Sequence, residues 1–298
     1  MHRILIYGLA AFGWASGLGA QAVPARDLWE FPLGAMYEPP ALASEPGAGL
    51  WNPATIALRS GERFRFGVAS LAAGSAQGVD GQLLSAAMRR SSGTTFGLSV
   101  ARAGISGLVR TDTDPLAVGN IPYATWLVSV SGARELVPHL TVGAAVRWRH
   151  GRADQVTGDA LAADFGAVLH DLPWRNARVA LSSFLWRPGR EIEDRPALLT
   201  AADFRLAGTM VEREVRAGVA YANVNRGAQE VGPFVSARRD RVEARVAHLR
   251  TEVAGQSVDR LRFGLALYYA RFSVGVAREE GVSGLGAVYQ FTLSSIIK

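Results

Sequence analysis

Segments in which apolar residues alternate with small, polar or charged ones recur along the chain, and this period of two constrains the fold more than any other feature. From Val142 to Trp148 every second residue is apolar, and the residues between them are small or charged. Arg271–Ala277 and Leu285–Leu293 show the same alternation. Because successive side chains of a β-strand point to opposite faces, the pattern predicts strands with one apolar face.

The second face of these predicted strands is rich in Gly, Ala, Ser and Arg. Apolar side chains on one face could meet lipid while small and charged ones face a lumen, which is typical of an outer-membrane β-barrel. Aromatic residues near the predicted strand ends, such as Tyr123, Trp148 and Tyr289, fit the aromatic belts of membrane interfaces. The alternative is a soluble β-protein in which these aromatic residues belong to an ordinary core.

The alternation divides into about fourteen strands, which predicts an all-β, transmembrane antiparallel barrel. An even number brings the first and last strands back to the same side of the membrane, here the periplasm. Short turns such as Ser91–Gly93 alternate with longer polar connections such as Gly104–Ile121 and Thr251–Asp259, as in barrels of this class. The predicted strands are 63–71, 81–90, 94–103, 122–132, 139–150, 159–170, 177–186, 198–209, 213–223, 229–239, 242–250, 260–268, 271–279 and 284–293.

The first residues have the pattern of a secretory signal. His2 and Arg3 precede an apolar run to Ala15, and an A-x-A site ends at Ala22. This predicts a cleavable signal peptide over residues 1–22; the alternative is an uncleaved amphipathic helix. No other stretch reaches the roughly 18 apolar residues of a membrane-spanning helix. A mature protein in a membrane would therefore be a closed barrel, because only closure pairs every backbone group of a sheet.

Residues 23–60 are unlike the strands that follow. Proline cannot donate to a β-ladder, so this proline-rich stretch is not barrel wall. We expect it to be a hatch or plug segment that folds into the lumen, followed by the barrel over 61–298; the alternative is a disordered periplasmic tail. The prolines are Pro24, Pro32, Pro39, Pro40, Pro46 and Pro53.

Charge and cysteine content exclude several classes of protein. The net charge of +6 comes from arginines that are spread through the chain rather than gathered in a basic arm or helix, which argues against nucleic-acid binding. The sequence has no cysteine, so it has neither a disulfide framework nor a thiolate metal site.

Residues Gly47–Ala57, with the sequence GAGLWNPATIA, resemble an Asn-Pro-Ala element of the FadL-like superfamily, and most closely that of its PorV/PorQ branch. Leu140–Trp148 with Ala162–Ala167 resembles that branch's mid-barrel strand pair, and Leu285–Leu293 its final strand. The resemblance implies a fourteen-stranded barrel with an N-terminal hatch. It implies either passage of hydrophobic small molecules or attachment to the type IX secretion machinery, and it does not choose between them.

The Asn-Pro-Ala element supplies the candidate ligand or gate residues Trp51, Asn52, Pro53 and Ala54. Asn52 precedes a proline, so its backbone is expected to be extended. Its side chain could then cap a helix that Pro53 begins.

No catalytic constellation stands out in the sequence. There is no G-x-S-x-G element, and His139, His150, His170 and His248 do not have metal-ligand spacing. We therefore expect no catalytic residue, metal or cofactor, and a protein that is not an enzyme.

Arginines on the predicted inward faces are candidates to line the lumen. They could tune the selectivity of a pore, or form salt bridges with Asp164, Glu214 and Glu243 that fill it. These candidates are Arg147, Arg149, Arg216, Arg245, Arg262 and Arg271.

The sequence thus predicts a barrel in the outer membrane of a Gram-negative-type bacterium, in contact with its lipid. The first functional hypothesis is hatch-gated transport of a hydrophobic small molecule. The second is a binding or scaffold role with secretion-system proteins of type IX, and the third is a purely structural barrel.

Overall fold

The computed structural model describes residues 23–36, 38–58, 61–74, 78–111, 117–186, 197–206, 213–223, 229–253, 256–280 and 286–297. The predicted signal peptide, residues 1–22, lies outside these residues. Within the part that is described, no helix is both long and apolar enough to cross a membrane.

Fourteen strands form one closed antiparallel barrel, which confirms the predicted fold class. Each pairs with the barrel strands before and after it in the chain, and the first strand, β1 (Phe64–Ala73), closes the barrel against the last, β16 (Val288–Ile297). Two short strands, β4 (Val109–Thr111) and β5 (Ala117–Asn120), form a separate hairpin. The strands are β1 (Phe64–Ala73), β2 (Val79–Arg89), β3 (Thr95–Ile105), β4 (Val109–Thr111), β5 (Ala117–Asn120), β6 (Tyr123–Val137), β7 (Leu140–Ala153), β8 (Val156–Leu172), β9 (Ala177–Phe184), β10 (Ala197–Arg205), β11 (Arg213–Asn223), β12 (Gln229–Arg239), β13 (Val242–Val253), β14 (Gln256–Tyr269), β15 (Phe272–Glu279) and β16 (Val288–Ile297).

The two ends of the barrel differ. One end, here the turn end, carries the short turns at 138–139, 240–241 and 270–271 together with the last residues of β16. The opposite end, the loop end, carries the β4–β5 hairpin between β3 and β6.

Two predicted connections differ in the structure. The connection Gly104–Ile121 contains the β4–β5 hairpin, whose strands are too short to give a periodic signal. The predicted loop Thr251–Asp259 is wrong: β13 continues to Val253 and β14 begins at Gln256, with Thr251 paired to Val258. Polar residues continue the ladder there because backbone pairing does not require apolar side chains.

The two faces of the wall have the predicted chemistry. Large apolar side chains such as Val130, Val146 and Phe291 point outward, where 54–57% of each is exposed. Inward positions of the same strands hold buried small or polar residues, such as Ser131 and Ala145. An apolar outer surface around a closed barrel fits contact with lipid acyl chains.

A charge in the middle of the outer face should destabilise the barrel. Val146 lies halfway along β7. Val146→Arg should therefore lower the free energy of unfolding, measured with urea in lipid vesicles, by about 2–4 kcal/mol, because the cost of burying a cation is highest at the bilayer midplane. Val137→Arg, at the turn end of β6, is the matched control and should cost about 0–1 kcal/mol. Equal costs at both positions would contradict the assigned lipid face.

Residues 23–36 and 38–58, named here the inner segment, lie inside the barrel. The segment contains three 3-10 helices, Arg26–Glu30, Pro46–Leu50 and Pro53–Ala57. It begins near the loop end, where the Asp27 carboxylate accepts a hydrogen bond from the Tyr123 hydroxyl. It reaches the turn-end half at Pro53–Ala57, which packs against β6, β7 and β8. Most of its described side chains are buried, unlike those of a disordered tail.

Candidate functional site

The inner segment and the wall share an apolar core inside the lumen. All its members are buried, and they come from both sides of the contact. The inner segment supplies Trp29, Leu33, Met36, Leu42, Leu50 and Trp51, and the wall supplies Leu71, Leu83, Leu127, Val168, Phe184 and Leu199. The apolar side chains that the wall contributes, here called the apolar patch, therefore lie beneath the inner segment.

Trp51, the first residue of the predicted gate, joins the two sides of this core. Its ring stacks on Phe184 of β9 with centroids 4.6 Å apart. Its indole nitrogen donates to the Leu33 carbonyl at 2.8 Å, and its own carbonyl accepts from the Ser182 hydroxyl at 2.7 Å. Trp51 is thus fixed by aromatic and hydrogen-bond contacts at once.

Asn52 caps the helix that Pro53 begins, as the sequence predicts. Its side-chain oxygen accepts from the Ala54 backbone N–H at 3.0 Å, and its backbone is extended. Its side-chain nitrogen donates to the Ala41 carbonyl at 2.8 Å, and the residue is fully buried. Asn52, Pro53 and Ala54 are therefore structural contacts within the core, with both ends of the Asn52 amide occupied.

Glycines of the wall allow the inner segment to approach the wall closely. A Cβ at Gly166 of β8 would overlap the Asn52 side-chain oxygen. A Cβ at Gly143 of β7 would lie 2.5 Å from the Pro53 carbonyl carbon. The lumen is therefore full at Gly143, and the wall has no room there for a larger side chain.

Removing the Asn52 amide should loosen the inner segment. Asn52→Ala loses a helix cap, at about 1 kcal/mol, and leaves the buried Ala41 carbonyl without this donor, at about 1–3 kcal/mol more. Hydrogen exchange of the backbone amides of residues 54–57 measures the loss. Asn120→Ala, at an exposed position of β5, is the control and should leave these amides unchanged. Unchanged exchange in both variants would show that the cap contributes nothing.

Five of the six candidate arginines lie in the lumen: Arg147, Arg149, Arg216, Arg245 and Arg262 are all buried. Arg271 is a correction. It lies in the turn between β14 and β15 with an exposed side chain, because β15 begins only at Phe272.

The lumen arginines meet carboxylates, including the three partners that the sequence suggests. Arg147 pairs with Asp164, Arg216 with Glu214 and Arg245 with Glu243. Asp203 receives both Arg178 and Arg216, and Glu279 receives both Arg260 and Arg262. These pairs fill the lumen with compensated charge.

Glu38 of the inner segment is a site residue that the sequence does not reveal. Its carboxylate accepts from Arg245 of β13 at 3.1 Å and from the Ser44 backbone N–H at 2.8 Å. Burial works against ionisation, but attraction to Arg245 and Arg178 outweighs it, so the pKa of the Glu38 carboxyl lies below its usual range. Glu38 has no periodic pattern around it, so counting alternate residues could not find it.

Two cavities lie between the inner segment and the wall on the β11–β14 side. The larger, of about 220 Å³, opens at the turn end and is lined by charged side chains of both signs, among them Glu214, Glu243, Arg216 and Arg238. The smaller, of about 20 Å³, lies beyond it and is lined mostly by small or apolar residues such as Ala220 and Ala247. Glu38 and Arg245 line both cavities.

Comparison of the sequence with protein-family models and with curated proteins found no match. Solved structures do share the fold. The toluene transporter TbuX of Ralstonia pickettii matches with a TM-score of 0.58 at 11% identity, over 85% of this chain and 94% of that one. The monoaromatic hydrocarbon channel CymD matches with a TM-score of 0.54 at 11% identity, over 86% and 97%.

A deltaS2S3 mutant of the monoaromatic hydrocarbon channel TodX matches with a TM-score of 0.52 at 11% identity, over 84% of this chain and 93% of that one. The fold is that of an outer-membrane β-barrel. The closed wall and its apolar outer face agree with this assignment and with a location in the outer membrane.

Proposed function

We propose that the chain is an outer-membrane channel for a hydrophobic small molecule, closed by its inner segment. The observation that carries the proposal is the apolar patch on the inner wall beneath that segment, which includes Leu127, Phe184 and Leu199. A pore lined only by polar groups would have no such patch. Displacing the inner segment would instead uncover a surface suited to an apolar solute.

Polar anchors of the inner segment are distributed around the wall. The Gly34 N–H donates to the Gln290 side chain at 2.8 Å, and Arg65 donates to the Ser44 carbonyl at 3.0 Å. The Glu45 carboxylate accepts from the Ser294 hydroxyl at 2.7 Å. These contacts position the segment, and its release from the wall would be the gating step.

The shared fold supports the solute class, because the three similar structures are described as a toluene transporter and monoaromatic hydrocarbon channels. Together with the resemblance of Gly47–Ala57, it favours membership of the FadL-like superfamily. Assignment to the PorV/PorQ branch, and with it a role in type IX secretion, stays a prediction that no comparison tests.

Uptake of a radiolabelled monoaromatic hydrocarbon by whole cells tests the proposal, because an intact outer membrane resists such solutes. Cells that carry the protein should take up the hydrocarbon faster than cells without it. Leu199→Ser, on the inner face of β10, should slow uptake because it places a hydroxyl in the apolar patch. Leu198→Ser, the neighbouring residue with its side chain facing lipid, is the matched control and should leave the rate unchanged.

Heat-modifiable migration in gels shows that each variant has folded before rates are compared. If cells with and without the protein take up hydrocarbon equally, the transport proposal is wrong. Copurification of the wild-type barrel with an exported protein, in the absence of any uptake, would favour the secretion hypothesis instead.

A further inference from the structure

We propose that the cleft between the inner segment and strands β11–β14 is a second route through the barrel, taken by water and small inorganic ions, and that the Glu38–Arg245 ion pair closes it. This function is separate from hydrocarbon transport. The route follows the two cavities, with the ion pair between them.

The part of the route at the turn end is an open, charged vestibule. The larger cavity of about 220 Å³ opens at the turn end, where Glu214, Arg216 and Arg238 line it. Its charges of both signs can replace part of the hydration of either a cation or an anion. An apolar solute would gain nothing there, so the vestibule favours ions and water.

The constriction is one ion pair that joins the inner segment to the wall. The Arg245 guanidinium donates to Glu38 at 3.1 Å and to Glu243, two residues before it on β13, at 2.9 Å. Both Glu38 and Arg245 are largely buried, with side-chain exposures of 11% and 6%. Arg245 therefore keeps a wall carboxylate when Glu38 leaves, so the pair can open without leaving a buried charge unpaired.

Beyond the ion pair, the route is narrow and leads towards the loop end. The smaller cavity, of about 20 Å³, has room for about one water molecule. The small side chains of Ala220 and Ala247 leave this space open. Beyond it, Arg260 and Glu230 form an ion pair whose side chains are 17% and 23% exposed, so the chain of charged groups reaches solvent.

Single-channel recording in planar bilayers with potassium chloride tests the proposal. Glu38→Ala should raise mean conductance several-fold, because it removes one side of the constriction. It also leaves the constriction more positive, so the reversal potential in a salt gradient should shift towards that of chloride. Glu38→Gln keeps the size of the side chain and should shift the reversal potential even if the conductance rises less.

Glu45→Ala is the matched control. Glu45 also joins the inner segment to the wall through its carboxylate, but its partners are the Ser273 and Ser294 hydroxyls of β15 and β16, away from the route. The conductance of the Glu45→Ala variant should stay at the wild-type level. An equal rise in both variants would mean that loosening of the whole segment, and not the ion pair, opens the lumen, and the proposal would be wrong.

Filling the smaller cavity gives a second test. In the Glu38→Ala background, Ala247→Phe should return conductance towards the wild-type value, because the ring occupies the route. Val246→Phe, on the lipid face of the same strand, should have no effect. Conductance that persists in the Ala247→Phe variant, or no rise in Glu38→Ala itself, would overturn the proposed route; neither outcome bears on hydrocarbon uptake.

Discussion

Replacing Asp164 with asparagine is expected to destabilise the barrel by about 3–5 kcal/mol, because it leaves the Arg147 charge buried without its counter-charge. Both side chains of this pair are fully buried in contact with each other. Arg147 also lies over the Phe184 ring, 5.0 Å from its centroid, where it cannot reach bulk water. Arg26 of the inner segment also interacts electrostatically with Asp164, which increases the expected effect.

Urea unfolding in lipid vesicles, followed by tryptophan fluorescence, measures this loss. Asp240→Asn is the control, because Asp240 and Arg239 form an exposed pair at the turn end of β12, and pairs of this kind contribute little. Removing both buried charges, with Arg147→Met and Asp164→Leu together, should cost less than Asp164→Asn alone. If the single and double variants are equally destabilised, the unpaired charge is not the cause.

The wall of the barrel is predictable because its physics is local. Lipid on one side and a lumen on the other impose a period of two on every strand, and that period identifies all fourteen barrel strands. The period of two does not define where each strand ends. It places Arg271 on an inward face, but Arg271 lies in a turn, and it ends β13 before the polar residues that extend it to Val253.

The interior is less predictable because its contacts join distant parts of the chain. The Asn52 cap follows from Asn52 and Pro53 alone, so the sequence reveals it. Glu38 and Arg245 are 207 residues apart, and Glu38 lies in a segment with no regular pattern. Lumen arginines and their carboxylates fall between these cases, because the inward-facing positions give the candidates but not the pairs. Some partners lie two residues apart on one strand, as Arg245 and Glu243 do, and others lie on neighbouring strands, as Arg147 and Asp164 do.

The crowding at the wall glycines also depends on the path of the inner segment. Gly143, Gly151 and Gly166 have inward parity, but parity does not show what lies opposite them. In the structure, the Pro53 and Pro24 backbones and the Asn52 side chain occupy the space that a Cβ would need. The absence of a side chain at these wall glycines therefore matches the docked position of the inner segment.

Substitution of Gly166 with valine is expected to undock the Pro53–Ala57 helix and open the lumen. A Cβ at this position overlaps the Asn52 side-chain oxygen, and the fully buried Asn52 has no space into which to retreat. Overpacking of this kind typically costs about 1–3 kcal/mol, enough to disfavour docking without unfolding the wall. Bilayer conductance should then rise towards that of a variant that lacks residues 23–51, the reference for an open lumen.

Gly132→Val is the matched control for this experiment. Gly132 lies on β6 with its face towards lipid, and an added Cβ there meets only the Phe96 ring, at 3.9 Å. Its conductance should equal that of the wild type, because nothing inside the lumen changes. A Gly166→Val barrel that stays closed would mean that β8 yields and the inner segment holds its place, and that the close fit at Asn52 does not control docking. An increase confined to Gly166→Val would instead show that the close fit between Asn52 and β8 is required to keep the inner segment docked.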